Sequence, residues 1–308
     1  MASTTATPGA LGVHMTEQRT LRSMMWNQFR RHQMAMSGTV VLLLLIFGSL
    51  FVSVISPYDP ETSSMRERRD APSLIHPMGT DTLGRDMLTR LLYGGRVSLS
   101  IGLAATTLGI TIGTVIGALS GYYGGWLDDT LMRLTDLFIS LPRLFMLIIM
   151  SLLLRSLNVP LLKANGNVGG IVLILGVLSW TGVARLVRGQ FLGLKEKEFV
   201  EAARTLGIGN LRIVFRHILP NTATPIIVAA TLLVARTIIS ESGLSFLGFG
   251  VQPPTPTWGN MLNAAQDEMR KGNWWMAVFP GLMIFLTVIS INYIGDGLRD
   301  ALDPHKIK

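Results

Sequence analysis

The stretch VSLSIGLAATTLGITIGTVIGALS, residues 97–120, decides the fold class because it carries no charged side chain anywhere along its length. An α-helix needs roughly 20 mostly apolar residues to cross a lipid bilayer, so this stretch is long enough to span one. Small residues recur at every fourth position, namely Ala105, Gly109, Gly113, Gly117 and Gly121. That stripe predicts a packing seam, because small side chains let a second helix approach closely inside lipid.

Five further apolar stretches lie on either side of this one, at residues 38–55, 137–154, 168–186, 223–248 and 275–294. The chain of 308 residues is 49% hydrophobic and only 15% charged, with a mean hydropathy of +0.43. This composition is typical of a membrane protein, and six spans leave no room for a large separate catalytic domain. We therefore predict an all-α membrane protein with six transmembrane helices.

The segments outside these spans predict how the chain is arranged about the membrane. Residues 1–15 are small and polar, as in a disordered tail, whereas residues 16–36 combine apolar and basic side chains, as in an interfacial amphipathic helix. Residues 37–96 then hold the first span and an outer loop, residues 97–295 a five-helix core, and residues 296–308 a tail. Arginine and lysine are more frequent on the side of the N-terminus, which predicts that both termini are cytoplasmic.

The charge and cysteine content exclude several kinds of site. Lys and Arg outnumber Asp and Glu by 27 to 19, and the net charge is +8. In so apolar a chain this excess favours contact with the lipid bilayer rather than with nucleic acid. The absence of cysteine excludes disulfides, thiolate metal sites and a cysteine nucleophile. His76 and Asp81 have no third ligand at a usable spacing, so no metal site is predicted.

Residues 189–221, between the fourth and fifth spans, are too polar for a span and too regularly patterned for a loop. Apolar positions at helical spacing predict one face of a short helix: Phe199, Ala202, Ala203 and Leu206. Gly207 supplies the left-handed residue that ends this helix, and a second helix is expected to be capped by Asn210 and stopped by Pro220. Such a hairpin either packs on the chain's own inner surface or lies in a groove of another protein.

Three motifs of this hairpin, Glu201-Ala202-Ala203, Gly207 and Leu219-Pro220, resemble the EAA signature of ATP-binding-cassette (ABC) importer permeases. His217 stands where that family usually has isoleucine. Four strings elsewhere resemble the C-type permease of dipeptide and oligopeptide importers, the peptide/nickel subfamily: SPYDP (56–60), HPMGTDTLGRD (76–86), LSFLG (244–248) and DALDP (300–304). Together these similarities cover roughly residues 20 to 305.

The resemblance implies the six-helix fold of a type I ABC importer permease in a bacterial or archaeal plasma membrane, with the hairpin as the coupling helix. Its substrate would be dipeptides or oligopeptides, or alternatively nickel or another small solute. The residues assigned to ATPase coupling are Phe199, Glu201, Ala202, Ala203, Arg204, Leu206, Gly207, Leu219 and Pro220. The implied partners are a homologous second permease, two ATPase subunits that bind ATP and Mg, and an extracytoplasmic substrate-binding protein. No cofactor is expected on this chain.

The chain lacks the features of a motor or an enzyme. No G-x-x-x-x-G-K-[ST] phosphate loop occurs in the sequence, so ATP hydrolysis is expected on a partner. A single hairpin without an internal repeat predicts half of a pore. A secondary transporter is the rival class, and it would need a binding site between internal repeats. An intramembrane enzyme is disfavoured because all five histidines lie outside the spans.

Four residues near the outer end of the fifth span are predicted to line the translocation path or its gate: Ser240, Glu241, Phe246 and Phe249. An ionised group inside a span costs about 2.5–3.5 kcal/mol unless it is paired or wet. Glu241 is therefore either a gate residue or the acceptor of a hydrogen bond between helices. Arg236 lies too far round the same helix to pair with it. Arg143, beside Pro142, is expected near the inner interface with its charged end in water.

Overall fold

The computed structural model describes residues 21–156 and 160–303, and within these ranges the chain is helical with no β-strand. The helices are α1 (Leu21–Arg31), α2 (Gln33–Leu50), α3 (Val52–Ile55), α4 (Met87–Tyr123), α5 (Gly125–Ser140), α6 (Arg143–Ser156), α7 (Pro160–Val177), α8 (Trp180–Leu194), α9 (Glu198–Thr205), α10 (Asn210–Ile213), α11 (Ala223–Phe246), α12 (Trp258–Met269) and α13 (Trp275–Leu302). The predicted all-α fold is confirmed. The predicted tail at residues 1–15, residues 16–20 of the predicted interfacial helix and residues 304–308 lie outside the described residues.

Among the described residues, five helical segments are long and apolar enough to cross a membrane: Gln33–Leu50, Met87–Tyr123, Gly166–Leu194, Asn210–Phe246 and Trp275–Leu302. The remaining predicted span, the third in chain order at residues 137–154, is not a straight helix. It falls across α5 and α6, which meet at an angle of 93° and make up a sixth span only if the bent pair is counted as one. Pro142 explains the break, because a proline disfavours helical geometry in the residue before it, and Leu141 is extended (φ −83°, ψ 137°).

The glycine stripe of α4 forms the predicted packing seam, and α8 is the helix that lies against it. A Cβ atom placed on Gly113 would lie 2.6 Å from Cβ of Val183, and one on Gly117 would lie 2.5 Å from the carbonyl oxygen of Ala184. These distances leave no space for any side chain, so the two backbones approach as closely as glycine permits. The seam places the hairpin that follows α8 beside the C-terminal end of α4.

Several helices extend further than the sequence predicts. Helix α4 begins ten residues early, at Met87, because the Asp86 carboxylate caps it by accepting the Thr89 amide at 2.8 Å. Helix α8 continues to Leu194, so the hairpin starts later than residue 189. Helix α13 continues to Leu302, so the described part of the predicted tail at residues 296–308 is mostly helical. Helix α4 therefore crosses the predicted boundary at 96/97, and helix α13 crosses the one at 295/296.

The N-terminal amphipathic helix occupies only part of its predicted range. It ends at Arg31, and the His32 ring caps the next helix by accepting the Ala35 amide at 3.1 Å. Phe29 of α1 packs in a small buried cluster with Ala35 of α2 and Ala301 of α13. Helix α1 is therefore attached to one end of the bundle, where α2 begins and α13 ends.

Candidate functional site

The hairpin between α8 and α11 turns at Gly207, as the sequence predicts. Gly207 has φ +73°, and an added Cβ would meet no atom within 4 Å. Its amide donates to the Arg204 carbonyl at 2.9 Å, and the Ile208 amide donates to the Ala203 carbonyl at 3.1 Å. This pair of bonds is the Schellman arrangement that closes helix C-termini. Glycine is needed here for its backbone conformation rather than for its small size.

The second arm of the hairpin does not stop at Pro220, contrary to the prediction. After α10 the chain passes through a π-helical turn (Val214–Ile218) and a 3-10 turn (Leu219–Thr222) directly into α11. Proline lacks the amide donor of a regular helix, and it occupies one of the first two positions of the 3-10 turn, where this donor is not needed. The arm and the fifth span thus form one continuous helical segment, Asn210–Phe246.

The apolar residues of the hairpin lie on two faces rather than on the single face that the sequence predicts. The inward face is buried in a core cluster with α4 and α8 and consists of Val200, Ala203, Ile213 and Ile218. The outward face is exposed and consists of Phe199 (41%), Leu206 (80%), Leu211 (69%) and Phe215 (65%). Ala202 is exposed while Ala203 is buried, because adjacent residues point about 100° apart round a helix. One face of the hairpin therefore packs on the chain itself, and the other face is exposed; its docking in a groove of another protein stays a prediction.

Tyr122 fixes the hairpin to the end of α4. Its hydroxyl donates to Oδ1 of Asn210 at 2.8 Å, and the Arg204 guanidinium lies 5.7 Å from the centre of its ring. Asn210 is therefore not the helix cap that the sequence predicts, and Gly209 holds that position without a side-chain bond. Glu201, in contrast, is exposed, and its carboxylate makes no hydrogen bond or ion pair with the described residues. Leu219 is half-buried against the core cluster and Pro220 is exposed.

A salt bridge supports the hairpin end of the bundle and had no signal in the sequence. Nε and Nη2 of Arg188 in α8 lie 2.6 and 2.7 Å from the two carboxylate oxygens of Asp128 in α5. The Ser120 hydroxyl of α4 also bonds to Asp128. Three helices are therefore joined at one carboxylate, and the bidentate geometry holds both orientation and distance.

The four residues predicted at the gate differ widely in exposure. Glu241 is completely buried, and its carboxylate accepts the hydroxyls of Ser245 at 2.7 Å and of Ser98 in α4 at 3.2 Å. Glu241 of α11 thus accepts a hydrogen bond from α4, which is the second of its two predicted roles. Ser240 donates to the Arg236 carbonyl at 2.8 Å, Phe246 is 38% exposed and Phe249 is half-buried. The gate role of the four stays a prediction.

No group of three or more histidine or acidic side chains that could hold a metal ion occurs in the described part of the chain. Nδ1 of His76 lies 2.9 Å from the Asp86 carboxylate, which also caps α4. Asp81 instead accepts Nε of Arg85 at 2.7 Å. These side chains hold the outer loop against the start of α4.

The sequence matches two known families of transport proteins. Residues 113–308 match the family described as the binding-protein-dependent transport system inner membrane component, and residues 20–72 match the N-terminal transmembrane domain of oligopeptide transport permease C. The chain belongs to this permease family. It is therefore the permease component of an ABC importer, as the resemblance implies.

Relatives and solved structures agree with this assignment. The glutathione transport system permease protein GsiD of Escherichia coli O157:H7 is 43% identical to this permease over 284 residues, 92% of this chain and 90% of its own. The same protein of Shigella sonnei (strain Ss046) matches equally well. One chain of an inward-facing structure of the MetNI methionine ABC transporter is similar in fold, with a TM-score of 0.56 and 20% sequence identity. The match covers 70% of this permease and 98% of the MetNI chain. This likeness concerns the fold of the permease.

A second cluster, at the opposite end of the permease, also escaped the sequence analysis. Nε and Nη2 of Arg69 in the outer loop donate to the Glu268 carboxylate of α12 at 2.8 and 3.1 Å. Lys271 and Asn273 each donate to the same carboxylate at 2.7 Å. The hydrogen bond from Arg69, followed in size by the one from Lys271, lowers the pKa of Glu268 to about 2. The outer loop of the permease is thus joined to α12 by a charged cluster.

Proposed function

We propose that this permease forms half of the translocation pore of an ATP-driven importer and that its hairpin docks on a separate ATPase subunit. The observation that supports this proposal most directly is the exposure of the apolar outward face, which consists of Phe199, Leu206, Leu211 and Phe215. Burying one large apolar side chain contributes about 1.5–3 kcal/mol. A set of exposed apolar side chains, on a hairpin whose other face is fixed to the bundle, suits a stable association with another protein.

The other residues assigned to coupling have distinct parts in this proposal. Ala202 leaves the hairpin backbone accessible beside the outward face, and Glu201 offers an unpaired carboxylate to a partner. Gly207 and Arg204 keep the turn and its contact with Tyr122 in place. The packing of Leu219 and the 3-10 turn at Pro220 carry movement of the hairpin into the fifth span.

The assembly that we propose contains a homologous second permease, two ATPase subunits that bind ATP and Mg, and an extracytoplasmic substrate-binding protein. The hairpin and both termini face the cytoplasm of a bacterial cell. The permease itself catalyses no reaction. Its substrates are dipeptides, oligopeptides or similar compounds. The match to oligopeptide transport permease C and the glutathione transport of the relatives support this substrate class.

The test compares the same substitution at two exposed leucines. Leu206 is 80% exposed on the hairpin, and Leu74 is fully exposed on the outer loop. Tagged permease is captured from native membranes with its ATPase partners, reconstituted in lipid nanodiscs and assayed for ATP hydrolysis with binding protein and peptide. We expect Leu206→Asp to reduce ATPase capture at least tenfold and to abolish stimulation by peptide, and Leu74→Asp to leave ATPase capture unchanged.

Two outcomes would contradict the proposal. Normal ATPase capture and stimulation by Leu206→Asp would show that the outward face is not the docking surface. Peptide uptake by reconstituted permease from which all ATPase subunits have been removed would instead assign the chain to secondary transport.

A further inference from the structure

A cavity of about 510 Å³ opens between the bent pair α5–α6 and helices α8 and α11. Its walls are mostly apolar and include Ile139, Met146, Leu186 and Leu232. Two arginines, Arg143 and Arg236, also line it, and no acidic side chain lines it among the residues that the structure describes. The volume lies in the range of small-ligand sites, which combine apolar walls with a few polar groups.

Arg143 is held at the cavity by the break in the span. It is the first residue of α6, directly after the bend at Pro142. Its Nη2 donates to the Ser179 hydroxyl at 2.9 Å, in the short break between α7 and α8. Its Nε is buried and has no hydrogen-bond partner within the described part of the chain. This guanidinium is therefore positioned by one bond and retains unused donors.

Arg236 lies well inside the helical segment Asn210–Phe246. Its side chain is exposed on the cavity side, and its guanidinium makes no hydrogen bond or ion pair with any described residue. An arginine inside a span costs about 2.5–3.5 kcal/mol on insertion scales, and such residues usually mark a functional path. The acid of the same helix, Glu241, bonds to buried hydroxyls and leaves this charge unneutralised.

The two cationic groups face one cavity and repel each other, since the charge of Arg236 acts on Arg143. An anion between them would relieve this repulsion, and a guanidinium fork matches a carboxylate with two parallel hydrogen bonds. The geometry points to a transient site for the carboxylate of a transported peptide, with Arg143 and Arg236 as its binding residues and the apolar walls accepting the peptide side chains. This inference rests on the proposed import of peptides.

The site implies that the permease itself, and not only the binding protein, discriminates among substrates. A peptide with a free C-terminal carboxylate would bind in the cavity, whereas its C-terminal amide would leave both arginines without a counter-charge. The alternative is that an acidic residue of the second permease forms an ion pair with the same two arginines.

The test measures binding of radiolabelled trialanine and of trialanine amide to the purified complex without the binding protein. We expect wild type to bind the acid at least tenfold more tightly than the amide. Arg143→Gln and Arg236→Gln should each remove this preference, while Arg236→Lys retains part of it. Arg96→Gln is the matched control, because Arg96 is an exposed arginine of α4 that lines a different cavity.

Three results would overturn the inference: equal or undetectable binding of acid and amide by wild type, an unchanged preference in both glutamine variants, or loss of the second permease from both variants. The last result would assign the arginines to an ion pair between subunits. ATPase capture and peptide-driven ATP hydrolysis are measured on the same wild-type complex. If these persist while the carboxylate preference is absent, the cavity site fails and the proposed function stands.

Discussion

Arg69 and Glu268 are 199 residues apart in the chain, yet two hydrogen bonds join the guanidinium of one to the carboxylate of the other. The pair connects the outer loop to α12. Trp275 adds a neutral contact to the same loop by donating its indole N–H to the Thr80 carbonyl at 3.1 Å. The loop is therefore fixed to α12 and α13, and in the proposed assembly this end of the permease meets the substrate-binding protein.

The Glu268 cluster predicts a loss of stability in acid. The pKa of Glu268 is about 2 in the fold and 4.5 without partners, so its carboxylate binds protons more readily when unfolded. Its stabilising contribution is complete above about pH 4.5 and declines as the pH falls towards 2. Melting temperatures of the purified complex should fall over this window. Glu268→Gln should melt lower at pH 7 and change less with acid. An identical pH dependence in the two proteins would contradict this role.

Gly207→Val should uncouple the permease without preventing its insertion. The substitution forces a β-branched residue to φ +73°, which costs at least about 1–2 kcal/mol and favours a different turn. Gly209→Val is the control, because Gly209 has φ −65° and equally open surroundings. We expect peptide-stimulated ATP hydrolysis to fall at least tenfold in the first variant and much less in the second. Equal activities would show that the left-handed turn is unimportant.

Ala202→Trp and Ala203→Trp should fail in different ways. Ala202 is exposed, so a tryptophan there should leave the melting temperature of the permease near its wild-type value while blocking ATPase capture by its bulk. Ala203 is 4% exposed in the core cluster, and a tryptophan there should lower stability by about 1–3 kcal/mol or more through overpacking. Equal effects of the two substitutions on thermal stability would contradict the division into inward and outward faces.

Gly113→Ala should separate α4 from α8. Its new Cβ would lie 2.6 Å from Val183 and 2.7 Å from the Trp180 carbonyl oxygen, neither of which can move without shifting α8. We expect a loss of about 1–3 kcal/mol, measured as a lower melting temperature in detergent. Gly189→Ala in α8 meets no atom within 4 Å and should be neutral or stabilising, since alanine favours a helix. A stable Gly113→Ala variant would refute the close packing of the seam.

Asp128→Asn tests the support beneath the hairpin. It removes the charge that Arg188 contacts through two nitrogen atoms and should destabilise the permease by about 1–3 kcal/mol. The neighbouring Asp129 is exposed, so Asp129→Asn provides a control of the same charge change one residue away. Thermal melting of both variants measures the difference. If they melt together, the salt bridge contributes nothing to the hairpin end.

The features predicted correctly from sequence depend on local or strictly periodic information. Gly207 ends its helix because a left-handed turn is specified by the residue that adopts it, and the α4 stripe predicts a seam because its period follows from helix geometry. The division between Ala202 and Ala203 was missed because it depends on where α4 and α8 lie. The Arg69–Glu268 and Arg188–Asp128 pairs were missed for the same reason, since distant charges carry no sequence signal of their partners.

The continuous segment Asn210–Phe246 gives the permease a lever. Its 37 residues extend about 55 Å at 1.5 Å per residue, and a rod of that length tilted by about 5° displaces its far end by about 5 Å. Arg236 and Glu241 lie on this segment, so in the proposed assembly a push on the hairpin would move both of them. A small tilt imposed by the proposed ATPase partner would thus become a displacement of several ångströms at the other end of the segment.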